Sequence, residues 1–197
     1  MTLAPPPARR RFSDGGKRNS NGFRIEAERE IFRGRVIRLV TRDFILPNGR
    51  NTTFSVVEHP GAVAIVPVFD NGDVILLRQF RPSIGEELYE IPAGTLEKGE
   101  LPLATAKREI VEETGFKARS WEKISEFYTA PGFCTELMHV FVAKGLTPAS
   151  ADGDEDEILE PVRMSLKKAI GLIRQQKIRD AKSIAGLLIY HGQRRKT

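Results

Sequence analysis

The chain is almost without cysteine. Cys134 is the one thiol among 197 residues, so no disulfide can close within the chain, and a reducing, cytoplasmic setting is expected. Long apolar runs are missing too: none approaches the roughly 20 residues that a membrane-spanning helix needs. The opening stretch, MTLAPPPARRRFSDGGKRNSNG, has no apolar core of the kind a secretory signal carries. Its three prolines would break the amphipathic helix of a transit peptide. Residues 1–22 therefore read as a disordered basic arm. Positive charge is scarce where a nucleic-acid groove would need it. The arm sets five basic residues against Asp14, and Arg194, Arg195 and Lys196 crowd the other end, so the two tails exceed the whole surplus of +5 and leave the body slightly acidic. No membrane or nucleic-acid partner is expected.

Two metal patterns are also lacking. His59, His139 and His191 are scattered, and with Cys134 they offer no zinc-ligand spacing. Asp152, Asp154 and Asp156 alternate like the start of a calcium loop, but Glu157 stands where that loop needs glycine and Arg163 where it needs glutamate.

What is present is a globular composition, 40% apolar and 29% charged, in a length suited to one substantial core with small appendages. Residues 23–58 predict extended strands broken by a turn at Pro47-Asn48-Gly49. GAVAIVPVF is an apolar run of strand length, as a strand buried on both faces requires, and DNGD (70–73) joins it to VILLRQF by a hairpin. EELYEIPAG predicts a short strand closed by Pro92 and Gly94, with a sharp turn at Pro92-Ala93-Gly94. A helix is expected from Leu101 to Thr114, stopped by Gly115. SWEKISEFYT and LMHVFVAKGL predict two strands joined by the loop APGFCTE. An acidic loop and two helices capped by Ser165 and Asp180 follow. The order argues for an α/β or α+β sandwich with helices on both sides of the sheet.

The helix breaks local rules. Glu109, Glu112 and Glu113 stand at i, i+3 and i+4, so their carboxylates share a face. Each like-charge pair costs a few tenths of a kcal/mol, and the C-terminal half of a helix is where its dipole disfavours anions. Leu103, Ala106 and Ile110 make a separate apolar stripe. Such a conflict is expected where function overrides stability. Clustered carboxylates suit a hard cation such as Mg²⁺, which commonly keeps substrate phosphates among its ligands. A solvated glutamate face paired with Lys107 and Arg108 is the plainer alternative from the helix alone.

The flanks decide between them. Gly94, Glu100, Arg108, Glu109, Glu112, Glu113 and Gly115, with apolar Ile110 and Phe116, match G-x5-E-x7-R-E-U-x-E-E-x-G-U (U apolar) at every position. The sequence strongly resembles the Nudix hydrolases. The resemblance implies an α/β/α sandwich with a mixed central sheet, and cleavage of a nucleoside diphosphate linked to a second group with Mg²⁺ or Mn²⁺. It implies Glu109, Glu112 and Glu113 as metal ligands, Glu100 in support through water, the Ala93 carbonyl as a further ligand, and Arg108 orienting the carboxylates.

RQFRPSIGEELYEIPAG resembles the branch acting on ADP-ribose and nucleoside diphosphate sugars, in which Arg81 would bind the diphosphate and Glu90 would face the substrate. Forked bonds from a guanidinium suit phosphate oxygens. Pro131, fifteen residues after Phe116, fits the same branch, and APGFCTE resembles its mobile loop, making Glu136 the general base, with a helix glutamate such as Glu112 as the family's alternative for that role. That branch also implies an additional N-terminal antiparallel sheet, here residues 23–58, which builds a homodimer and supplies an aromatic, Phe54, to stack on the base. Residues 59–190 would then be the catalytic domain and 191–197 a basic tail. The expected reaction is hydrolysis of ADP-ribose to AMP and ribose 5-phosphate. GDP-mannose, a dinucleoside polyphosphate or capped RNA are alternative substrates, and a non-catalytic ADP-ribose sensor is the alternative of another class.

Overall fold

The computed structural model describes residues 10–11, 21–150 and 159–194. The acidic DGDED stretch, most of the basic arm and the last three residues lie outside the described residues. Two compact units divide the chain: residues 1–60 with 130–136, and residues 61–129 with 137–197.

The first unit is an antiparallel sheet ordered β1 (Arg10–Arg11), β2 (Arg24–Arg33), β3 (Arg38–Ile45), β4 (Asn51–Glu58). The predicted turn connects β3 to β4, and Gly49 takes φ 80, a value that glycine adopts without a Cβ penalty. Across the sheet, Arg38 and Arg42 each bridge Glu28 and Glu58, closing a ring of alternating charge in which Arg38–Glu58 is 2.5 Å and Arg42–Glu28 is 2.8 Å. The carboxyl of Glu58 is held below its ordinary range mainly by its bond from Arg38. Segment 130–136 runs along β4, where Val57 N–H donates to Phe133 O (2.7 Å) and Thr135 N–H to Val57 O (3.0 Å).

The second unit is a mixed sheet with helices on both faces. Its strands are β5 (Ala62–Val68), β6 (Asp73–Arg81), β7 (Glu86–Glu90), β8 (Ala93–Thr95), β9 (Phe116–Tyr128), β10 (Leu137–Pro148) and β11 (Leu159–Ser165). The order is β11-β6-β5-β10-β9, with β7 paired to β6 and β8 to β5. β5 and β10 are parallel, and the other pairings are antiparallel. Every residue of β5 is buried, as its unbroken apolar run predicts. Alternation then splits it between two cores. Ala62, Ala64, Val66 and Val68 pack with residues of helices α2 (Leu166–Arg174) and α3 (Ala181–Arg194), including Ala169, Ile170 and Leu187. Val63 and Ile65 pack with Ala106 and Ile110 of α1 (Pro102–Thr114). Ser165 caps α2 by accepting Lys168 N–H, and Asp180 accepts Ser183 N–H at the start of α3, both as expected.

Three local readings need correction. Ala93 and Gly94 do not form a sharp turn. They lie in β8, paired with Ala64 and Val63, because the chain after Pro92 adds backbone hydrogen bonds to β5 instead of reversing. The stretch before α2 is not all loop: β11 pairs antiparallel with β6 through Pro161, tolerated because β11 is the edge strand. Leu103 is not a buried stripe residue. It is 38% exposed, whereas Ala106 and Ile110 are fully buried, since it occupies the first helical turn, before the buried positions begin.

Candidate active site

Helix α1 opens at Leu101 with no side-chain cap and Pro102 in its first turn, where a missing N–H costs nothing. It ends at Gly115, in the left-handed region at φ 72, whose N–H donates to Val111 O at 2.9 Å. Between these ends the apolar face seats the helix on β5 and turns Glu109 and Glu113 toward β8. Glu113 is 8% exposed, and its Oε2 accepts Ala93 N–H at 2.9 Å. Glu109 lies against Gly94 so closely that a Cβ there would stand 1.9 Å from its Oε1. Gly94 is therefore a space for a carboxylate.

Arg108 is the hub of the remaining charges. Its Nη1 lies 2.9 Å from both Glu109 Oε1 and Glu112 Oε2, and its Nη2 3.3 Å from Glu100 Oε2. Burial opposes the charge of this guanidinium, but bonds to Glu100 and the nearby carboxylates raise its pKa above the ordinary arginine value. Burial likewise opposes ionisation of Glu100, and the bond from Arg108 overcomes it, holding its carboxyl below the usual range. One guanidinium serves Glu100, Glu109 and Glu112, with Glu113 alongside, so four carboxylates of this unit gather beside α1. Among the described residues no three His, Cys, Asp or Glu side chains form a ready-made metal cage. Mg²⁺ does not require one, since it usually takes one or two carboxylates with water and substrate phosphates. The clustered hard oxygen donors fit such a cation.

A second polar cluster of the same unit joins β6, β7 and α3. Arg81 Nε and Nη2 donate to the two oxygens of Glu90, each at 2.7 Å. Glu90 is enclosed, not turned outward: its side chain is 3% exposed, while that of Arg81 is 37% exposed. Lys182 donates to Glu90 Oε2 as well, and to Asp180 Oδ2 at 3.0 Å. Burial would raise the Glu90 pKa, but Arg81 and Lys182 together lower it to about 2. The bond to Glu90 likewise raises the pKa of Arg81. Sequence reasoning did not find Lys182. Its signal was a cation in the first turn of a helix, where the dipole disfavours one.

Glu136 and Phe54 lie in the first unit. Glu136 Oε1 stands 3.8 Å from His59 Nε2, and the neighbouring Thr135 hydroxyl accepts His59 N–H at 2.9 Å. Phe54 on β4 is 44% exposed and meets Phe44 edge to face at 5.4 Å. A cavity of about 390 Å³ in this unit is lined by Arg33, Arg35 and Arg38 together with His59 and Thr135, and contains none of the α1 carboxylates.

The family description "NUDIX domain" matches residues 58–187. An ADP-ribose pyrophosphatase of Bacillus subtilis is 45% identical over 159 residues, covering 80% of this chain and 86% of that protein. A methanol dehydrogenase activator of Bacillus methanolicus is 40% identical over 157 residues, covering 79% and 85%. Among solved structures, one titled as an ADP compounds hydrolase superposes with a TM-score of 0.75 at 26% identity, over 84% of this chain and 90% of that one.

Proposed function

Because this chain belongs to the Nudix hydrolase family, we propose that it hydrolyses the pyrophosphate bond of ADP-ribose, yielding AMP and ribose 5-phosphate, with Mg²⁺ as its cofactor. The observation that carries the reading is the carboxylate face of α1. Glu109 is seated against Gly94, Glu113 is fixed by Ala93 N–H, and Arg108 draws Glu100, Glu109 and Glu112 together. A likeness to a named ADP-ribose pyrophosphatase across most of both chains supports the substrate.

In this reading Glu109, Glu112, Glu113 and the Ala93 carbonyl would hold the cation, and Glu100 would support them. When bound, the ion supplies neutralisation of diphosphate charge and acidification of water. Arg108 keeps the carboxylates in position through its bonds to Glu100, Glu109 and Glu112. Arg81 presents the exposed remainder of its guanidinium to the diphosphate, where forked donors match phosphate oxygens. Glu136 takes the proton of the attacking water, whose oxygen joins one phosphorus as the bridging P–O bond breaks and the other phosphate leaves. Phe54 offers an exposed ring for stacking on the base.

The same reading makes residues 23–58 a homodimerisation region. Ile31, Phe32, Val36 and Ile37 of the β2–β3 hairpin are exposed large apolar side chains, a pattern that marks an interaction surface. Light scattering should return twice the chain mass for the wild type and a lower mass for Phe32→Glu. A monomeric wild type would remove this assignment.

The substrate is tested by incubating the protein with ADP-ribose, GDP-mannose, diadenosine polyphosphate and capped RNA, each with Mg²⁺, with Mn²⁺ and with chelator. AMP release from ADP-ribose, fastest of the panel and abolished by chelator, is expected. Tight binding without turnover would leave a sensor, and no turnover of any member would end the enzymatic reading.

A further inference from the structure

Lys182 has no part in the reaction as just described, yet it is placed against the grain of its helix. It lies in the first turn of α3, where the helix dipole disfavours a cation. Its side chain is only 12% exposed, and an ammonium withdrawn from water needs compensation by partners. Two carboxylates supply it, Glu90 of β7 and Asp180 at the mouth of the helix. Asp180 is itself held, because its Oδ2 accepts both the N–H and the hydroxyl of Ser183, at 3.0 and 2.5 Å. Ser183 is fully buried and its oxygen accepts Ile91 N–H at 2.8 Å, tying the helix mouth to the residue after Glu90.

We propose that Lys182 is a positioning residue for Arg81, acting through Glu90. The geometry runs in one direction. Arg81 donates through Nε and Nη2 to both oxygens of Glu90, so the carboxylate fixes the plane of the guanidinium. That carboxylate is 3% exposed and cannot be oriented by water. Lys182 binds one of its oxygens from the side of α3, and Asp180 with Ser183 anchors Lys182 in turn. Helix α3 thereby sets the direction in which the exposed part of Arg81 points. Glu90 follows as the anchor of the clamp and makes no direct contact with substrate. The lowered pKa of Glu90 agrees with this, since the anchor stays ionised across the range in which enzymes work.

The proposal rests on Arg81 serving as the diphosphate clamp, so the test separates the two ideas. Steady-state hydrolysis of ADP-ribose, or of whichever panel member the wild type turns over best, is measured for Lys182→Met, Lys182→Arg, Glu90→Gln, the Glu90→Gln/Lys182→Met double variant and Arg81→Lys. Removing one charge-assisted bond from a buried carboxylate predicts a loss in kcat/KM of roughly ten- to hundredfold for Lys182→Met. Lys182→Arg should recover most of it. The double variant should be no worse than Glu90→Gln alone, because residues acting in series are not additive. A purely structural role would lower the unfolding temperature of Lys182→Met without this pattern. Additive losses in the double variant would mean that Lys182 works independently of Glu90, and kcat/KM within twofold of wild type in Lys182→Met would mean that it positions nothing. Either result overturns the proposal. A full-rate Arg81→Lys would instead remove the clamp on which it stands.

Discussion

Gly94→Ala separates folding from catalysis more cleanly than removal of any carboxylate. A Cβ at this position would meet Glu109 Oε1 at 1.9 Å, Cδ at 2.0 Å and Cγ at 2.5 Å. Since Cβ contacts below 3.0 Å do not persist, the carboxylate must move by at least about 1 Å. The backbone has no objection, as Gly94 sits in β8 outside the left-handed region. Replacing glycine where the native backbone suits alanine stabilises by about 0.4–1 kcal/mol. Forcing a side chain from its rotamer costs about 0.5–1.5 kcal/mol. These nearly cancel, so the net change stays within about 1 kcal/mol, or roughly 2–4 °C in unfolding temperature for a chain of this size. A misplacement of about 1 Å in a catalytic group, by contrast, can cost on the order of a hundredfold in rate. Thermal unfolding and Mg²⁺-dependent hydrolysis of ADP-ribose, measured on the same preparation, give both numbers. A variant that keeps its unfolding temperature and hydrolyses within threefold of wild type would refute the role of Gly94 as the seat of Glu109. A collapse in stability would refute the cancellation.

Other perturbations probe neighbouring links. Glu113→Gln can still accept Ala93 N–H, so the fold should survive while hydrolysis falls at least about a hundredfold; circular dichroism and AMP release check the two halves. Glu90 has a folded pKa of about 2 against an ordinary 4.5, so its contribution is complete above pH 4.5 and is lost as pH falls toward 2. Urea unfolding from pH 6 to 2.5 should therefore show a decline of at most about 3 kcal/mol from this group, and Glu90→Gln should flatten that part of the profile. Ser165→Ala removes the bond to Lys168 N–H and should cost about 1 kcal/mol, seen as a lower unfolding temperature with unchanged hydrolysis.

The parts legible from sequence were those written in local chemistry. The apolar run at 62–68, the DNGD turn, the helix stop at Gly115 and the serine cap at 165 each depend on a few adjacent residues, and each is found in place. The carboxylate face of α1 was visible for the same reason, since a helix fixes which positions lie together. What stayed hidden depends on pairing at long range. The acidic loop hid β11, because nothing local says that the chain after it will join a sheet as an edge strand. Pro92 made 92–94 look like a reversal, although β5 was waiting to pair with it. Lys182 meets Glu90 across 92 residues of chain, a contact that no spacing rule reports. The enclosure of Glu90 followed from the same contact.

Calorimetric titration with Mg²⁺, in the presence of a diphosphate product or slow substrate, tests most directly whether the carboxylates of α1 exist to hold a cation beside a pyrophosphate. Saturable binding in the wild type, strengthened by the diphosphate and lost in a Glu109→Gln/Glu113→Gln variant that remains folded, is the expected result. Equal binding by the two proteins, or none by the wild type in either condition, would contradict it.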